Sequence, residues 1–170
     1  IRNSLSGVPN KEQAYSISPI IESNEWNGLL LVGNTPLGLL YAARTLEQLL
    51  NVPGKENSSE KVVFPMVKIT DWPDIAERGE WGGNSNDDLE WLGKRKMNVL
   101  EFLANLSFDD RGNPTANLDK NILDKAMREG IKPVPFIPHL EGLQYTGLYK
   151  YYPEVKAVPD PSKPLPTDWS

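Results

Sequence analysis

The chain predicts a mixed architecture, an α+β layer followed by a parallel α/β segment. Two rhythms point there. As far as Ile69 the order reads strand, strand, helix, strand; from Ile75 strands and helices alternate with short connections. The first pattern suits one helix covering a small sheet, the second a run of right-handed βαβ units. Size sets the bound: 170 residues, 39% hydrophobic and 24% charged, suffice for one ordinary domain, or for a small one plus part of another.

Tyr15 to Ile21 alternates aromatic or aliphatic residues with serine and predicts a strand, which Pro19 makes an edge or a bent one. Asn24 to Asn27 is turn-like, and Leu29 to Val32 is a short buried strand ended by Gly33-Asn34. Thr35 can then cap a helix with Pro36 at its first position. Leu39, Ala43, Leu46 and Leu50 form its predicted core stripe, with Ala42 and Leu49 beside it. The helix stops near Asn51 and Pro53, a polar loop follows, and Val62 to Ile69 predicts the next strand.

Past the Trp72-Pro73 corner, Glu77 to Trp81 is a short strand. Asn86 can cap a helix that starts with Asp87 and Asp88 and ends in Lys94-Arg95-Lys96, charges of the sign each helix end favours. Met97 to Leu103 is a strand. Asn117 caps a second helix carrying Leu118, Ile122 and Ala126, with Gly130 as a left-handed stop. Ile131 to Ile137 closes the array. Beyond Pro138 the many prolines predict a long loop or extended tail.

Composition excludes several classes of function. A net charge of −5 supplies no basic stripe for nucleic acid. The absence of cysteine removes disulfide, thiolate-metal and cysteine-nucleophile chemistry. With a single histidine, a zinc site would consist mostly of carboxylates, and no cofactor is expected. Asp109, Asp110 and Asn113 crowd one loop at a spacing that fits no standard calcium loop. No apolar run reaches the roughly 20 residues of a membrane span. The chain opens on Ile1, which suggests processing or a segment of something longer.

Two stretches resemble a known family. "VGNTPLGLLYAARTLEQLL" (Val32 to Leu50) and "FPMVKITDWPDIAERG" (Phe64 to Gly79) look like the accessory domain of family 20 glycoside hydrolases, the β-N-acetylhexosaminidases, where that domain precedes a (β/α)₈ barrel. The resemblance implies an accessory α+β domain over residues 1–71 and the truncated start of a barrel over 72–170, fewer than half the residues a whole barrel takes, typically about 250. It also implies hydrolysis of terminal N-acetylhexosamine from a glycan substrate, and secretion or periplasmic residence, where such polymers are found. An open barrel edge would invite self-association.

By the same resemblance Arg78 ends the first barrel strand and binds sugar hydroxyls. Its guanidinium offers five donors in a fixed fork, suited to vicinal hydroxyls, although Asp74, Glu77 or Glu80 could equally pair with it at a domain interface. Trp81 and the tyrosines from Tyr145 to Tyr152 could present flat faces to sugar rings. His139, beside Glu141 at a strand mouth, could hydrogen-bond a sugar, carry a proton or serve as a plain surface residue. Trp72 suits a packing corner between the two regions.

The chain departs from the family at two places. Glu80-Trp81-Gly82-Gly83 follows the Arg-Gly pair where an aspartate and an Arg-His pair are usual. At the third strand, Phe136 and Pro138 stand in place of two acids. The Asp-Glu pair such enzymes use for substrate-assisted catalysis occurs nowhere in the sequence. Two other readings fit these departures: a non-catalytic carbohydrate-binding or interaction module, and a fragment of an α-glucuronidase-like glycosidase.

Overall fold

The computed structural model describes residues 5–50, 66–81, 88–136, 146–156 and 162. It is a mixed α and β structure built on three small sheets.

Strands β1 (Tyr15–Glu22) and β2 (Glu25–Gly33) form an antiparallel hairpin, and β3 (Ile69–Asp71) pairs with the other side of β1. The turn is tighter than the sequence suggests. Ser23 and Asn24 take φ of 52° and 66°, the left-handed pair of a two-residue hairpin loop that matches strand twist. Strand β2 therefore starts at Glu25, inside the expected turn. Pro19 lies past the reach of β3, which pairs only with Tyr15 to Ile17, and a bulge at Ile20/Ile21 bends the strand just beyond it. Strand β3 starts later than expected: Met66 to Lys68 are not in the sheet, and residues 62–65 fall outside the described ones.

Helix α1 (Pro36–Leu50) covers this sheet. The Thr35 hydroxyl accepts from the Gly38 amide at 3.3 Å, the capping the sequence predicts. The buried stripe is rotated from the expected one, however. Gly38, Tyr41 and Ala42 face the core, with Leu37 and Leu46 beside them, while Leu39, Ala43 and Leu49 are exposed. Gly38 sets that rotation. A Cβ there would stand 2.5 Å from the Ala14 carbonyl oxygen, so only glycine lets the helix lie this close to the chain entering β1. Tyr15, Ile17, Tyr41 and Ala42 then form one core.

The second half is a parallel sheet in chain order: β4 (Gly79–Glu80), β5 (Val99–Leu103) and β8 (Lys132–Phe136). Helices α2 (Leu89–Lys94) and α3 (Lys120–Arg128) supply the crossovers. Both pack on one face, where Leu89, Leu92, Leu100, Ala126 and Ile131 make a second core. Asp88 caps α2 by accepting from the Trp91 amide; Asn86, the expected cap, lies outside the described residues. Asp119 caps α3 in place of Asn117, its carboxylate accepting from the Asn121 and Ile122 amides. Gly130 ends α3 at φ 75°, as the sequence predicts.

Asn117 is taken by an element the sequence reading lacks. Strands β6 (Asn105–Phe108) and β7 (Pro114–Asn117) form a hairpin between β5 and α3. Its turn is built on Asp109, whose carboxylate accepts from the Arg111 and Asn113 amides and from the Asn113 side chain. The acidic cluster is thus a turn device. The region after Pro138 is also more regular than expected, with a short helix α4 (Leu148–Tyr151) and a 3₁₀ turn at Pro153–Val155. Tyr151 and Tyr152 of this segment pack on Phe108 of the hairpin, and the Tyr152 hydroxyl donates to the Gly112 carbonyl.

Strand β8 has an unusual outer edge. The Lys132 amide donates to Asn98 O, and the Phe136 carbonyl accepts from the Ala104 amide. Even-numbered positions therefore turn their polar groups toward β5, and positions 133 and 135 turn theirs away. Both outward positions are proline. This edge offers carbonyls there and no N–H.

Candidate functional site

In parallel α/β sheets binding groups collect at the carboxyl ends of the strands. Here that end presents aromatic surface. Trp81 directly follows β4 and is 71% exposed. Its ring meets Phe136, the last residue of β8, edge to face with centroids 6.3 Å apart. Side chains alternate along a strand, so Phe136 and Val134 share the face turned away from the helices. Glu101 pairs in register with Val134 and lies on that same face, half-buried. The helix-side face holds Leu100. The open face thus brings together an exposed indole, a second ring and one carboxylate.

The chemistry available is recognition. An indole with a free face can stack on the C–H side of a sugar ring, and a carboxylate accepts hydroxyl hydrogen bonds. Of the sequence candidates, Trp81 stands here. His139 and Glu141 follow β8 in the chain but lie outside the described residues. Glu101 and Phe136 were not singled out as site residues; the alternation of Leu100, Glu101 and Phe102 was the available signal, since a charge inside a strand whose neighbours are buried must face a separate environment.

Arg78 stands at the other end. It precedes β4 rather than ending it, and its carbonyl receives the Asn98 and Val99 amides at 2.7 and 3.1 Å. Its guanidinium turns toward the seam between the two halves. There it donates to the Ile75 carbonyl at 2.5 Å, to Lys96 O at 2.6 Å and to Gln13 Oε1 at 3.1 Å. The expected acidic partners Asp74, Glu77 and Glu80 do not take it; Glu77 pairs instead with Lys132 at 3.0 Å. Three carbonyl-type acceptors hold the fork in place, and the direction of the strand sets it apart from Trp81.

The seam has its own polar hub. The Tyr15 hydroxyl lies 2.6 Å from Asp71 Oδ2, 2.6 Å from Thr45 Oγ1 and 2.7 Å from Lys96 Nζ. Burial, reinforced by the Asp71 carboxylate, pushes this phenol far above its ordinary value. Burial also depresses the Lys96 ammonium, partly offset by Asp71. The basic run at the end of α2 thus divides its work: Lys94 pairs with Glu90, Arg95 stacks on Trp91, and Lys96 reaches the hub. Trp72 and Pro73 wall a pocket beside it.

Among the described residues no group of three histidine or acidic side chains could hold a metal ion, and no helix is long and apolar enough to cross a membrane. No protein-family model and no curated protein matches the chain.

Proposed function

We propose that this chain is part of a carbohydrate-active hydrolase of the family 20 type, comprising the accessory domain and the first three strands of a (β/α)₈ barrel. In this reading it contributes to binding a terminal N-acetylhexosamine, while the catalytic Asp-Glu pair lies outside the sequence given. One observation carries it: three parallel strands follow chain order with helices on one face, and Trp81, Phe136 and Glu101 share the other near the strands' carboxyl ends. That is the layout from which a barrel mouth is built. Trp81 stacks on the sugar and Glu101 accepts from its hydroxyls. His139 and Glu141, which follow β8 in the sequence, remain candidates for the same sugar and lie outside the described residues.

The Arg78 role implied by the family resemblance gains no such support, because the guanidinium is held at the seam. The proposed grip therefore rests on Trp81 and Glu101.

The donor-poor outer edge of β8 favours a second reading, in which the sheet ends there and the chain is a non-catalytic sugar-binding module. Two measurements separate the readings. Titration with N-acetylglucosamine, followed through the indole NMR signals, should give a saturable shift that Trp81→Ala abolishes and that glucose reproduces only weakly. No saturable shift rejects sugar binding. The intact mass of the protein at its source then decides catalysis. A mass well above 19.1 kDa supports the hydrolase, and a match to it leaves the module.

A further inference from the structure

The seam holds an open pocket of about 340 Å³, at the small end of the range for small-molecule sites, about 300 to 1,000 Å³. It lies by the amino end of β4, with Arg78 in its wall, whereas Trp81 marks the carboxyl end. Three cations line it, Arg78, Arg95 and Lys96, against two carboxylates, Asp71 and Asp74. On a chain of net charge −5 this is a local excess of positive charge. Trp72, Pro73 and Ile75 supply an apolar wall.

One detail sets the pocket apart from a passive gap. Tyr41 also lines it and is 1% exposed; the Arg78 guanidinium acts on its hydroxyl, but no group among the described residues meets that hydroxyl in hydrogen-bond geometry. A buried hydroxyl left unpaired is costly and rare, and such groups concentrate where structure serves function. Arg78 stands over the Tyr41 ring, 6.0 Å from its centroid, so the unpaired hydroxyl belongs to the cationic wall. Lys96 takes φ 58° as the left-handed cap that ends α2, its amide donating to Gly93 O and the Met97 amide to Leu92 O. The cap turns the chain back toward β5, and the Lys96 ammonium stands at the hub beside the pocket, 2.7 Å from the Tyr15 hydroxyl.

We propose that this pocket binds a compact oxyanion carried on a ring, gripped by Arg95, Lys96 and the Tyr41 hydroxyl. The Arg95 guanidinium carbon stands over the Trp91 ring, 3.7 Å from its centroid, and a guanidinium stacked by its face keeps its in-plane N–H groups to donate. Lys96 adds a point charge. Tyr41 gains its missing acceptor when a ligand oxygen settles beside Arg78. The ring of the ligand lies along Trp72 and Pro73. Arg78 itself is committed to its three protein acceptors and shapes the wall.

Four probes test this on the intact chain, read through the Trp72 indole NMR signal, assigned with Trp72→Phe. Phenyl phosphate and benzoate carry both ring and oxyanion, inorganic phosphate lacks the ring, and benzyl alcohol lacks the charge. The ringed anions should shift the signal saturably at millimolar concentration, phosphate more weakly, and benzyl alcohol not at all. A response to only one ringed anion supports the site and identifies the oxyanion. Tyr41→Phe should weaken binding about tenfold while leaving the melting temperature unchanged or higher, since it removes an unpaired buried group. Arg95→Gln should weaken it to a similar degree. The proposal is overturned if neither ringed anion saturates, if benzyl alcohol binds equally well, or if both variants retain full affinity.

Discussion

Asn98 and Arg78 hold each other by two reciprocal hydrogen bonds: the Arg78 amide donates to Asn98 Oδ1 at 2.8 Å, and the Asn98 amide donates to the Arg78 carbonyl at 2.7 Å. The Asn98 side-chain amide also donates to Ala76 O at 2.8 Å and Gln13 Oε1 at 3.2 Å. One buried side chain thus joins the entry to β5, the approach to β4 and the turn before β1. Asn98→Ala strips partners from several half-buried groups at once and should cost about 2–4 kcal/mol, read from the urea unfolding midpoint. A loss below about 1 kcal/mol would mean that water replaces the side chain freely.

Gly79 tests the meaning of the Arg-Gly pair. The residue is exposed, and ordinary surface substitutions stay within about 0.5 kcal/mol. A Cβ at this position would nevertheless stand 2.0 Å from the Val99 carbonyl oxygen. Gly79→Ala should therefore destabilise by about 1–3 kcal/mol by forcing β4 away from β5. A neutral result in thermal melts would show that the two strands part easily.

Trp81→Ala should separate binding from stability. At 71% exposure with one edge contact to Phe136, the indole contributes little to the fold, and its loss should change stability by about 0.5 kcal/mol or less. Sugar binding should disappear in the same variant. Strong destabilisation in denaturant melts would instead mark Trp81 as a packing residue.

Alkaline pH should weaken the seam. Tyr15 and Tyr41 both have phenols raised above their ordinary value of 10.0, each chiefly by burial. Above that pH the unfolded chain releases phenol protons that the folded chain keeps, so the stability these groups contribute is present below it and declines as pH rises through it. Lys96 works in the opposite sense. Its ammonium is depressed, so the cost of burying the charge is relieved as pH climbs toward the ordinary 10.5. Tyrosine absorbance should show Tyr15 and Tyr41 ionising later than free phenol, by difference against Tyr15→Phe and Tyr41→Phe. Ionisation near pH 10 in the folded protein would contradict the burial of both rings.

Much of the element order was legible because local signals set it. Thr35 with Pro36, Gly130, and the apolar runs of β1, β5 and β8 act within a few residues of themselves. What escaped depends on distant neighbours. The rotation of α1 follows from the approach of Gly38 to Ala14, which no periodicity encodes. The β6–β7 hairpin is made of short, mixed segments whose turn rests on a single side chain, Asp109. Arg78 shows the limit most clearly. Its residue type suits sugar and seam equally, and its position at the start of β4 with Asn98 and Gln13 beside it decides in favour of the seam. Glu101 was hidden for the complementary reason: a lone acid in an apolar strand looks unremarkable until the register shows which face it occupies.

The prolines at 133 and 135 make β8 an asymmetric template. Two copies of this edge placed side by side would each bring only acceptors to the facing positions, so β8 cannot zip onto another β8 through Pro133 and Pro135. A strand carrying its own amides can donate to the Pro133 and Pro135 carbonyls, but its own carbonyls find no donor at those two positions. Homotypic growth is thereby blocked at this edge, a donor-bearing segment gains only one-way hydrogen bonds there, and the asymmetry is written into two missing hydrogens.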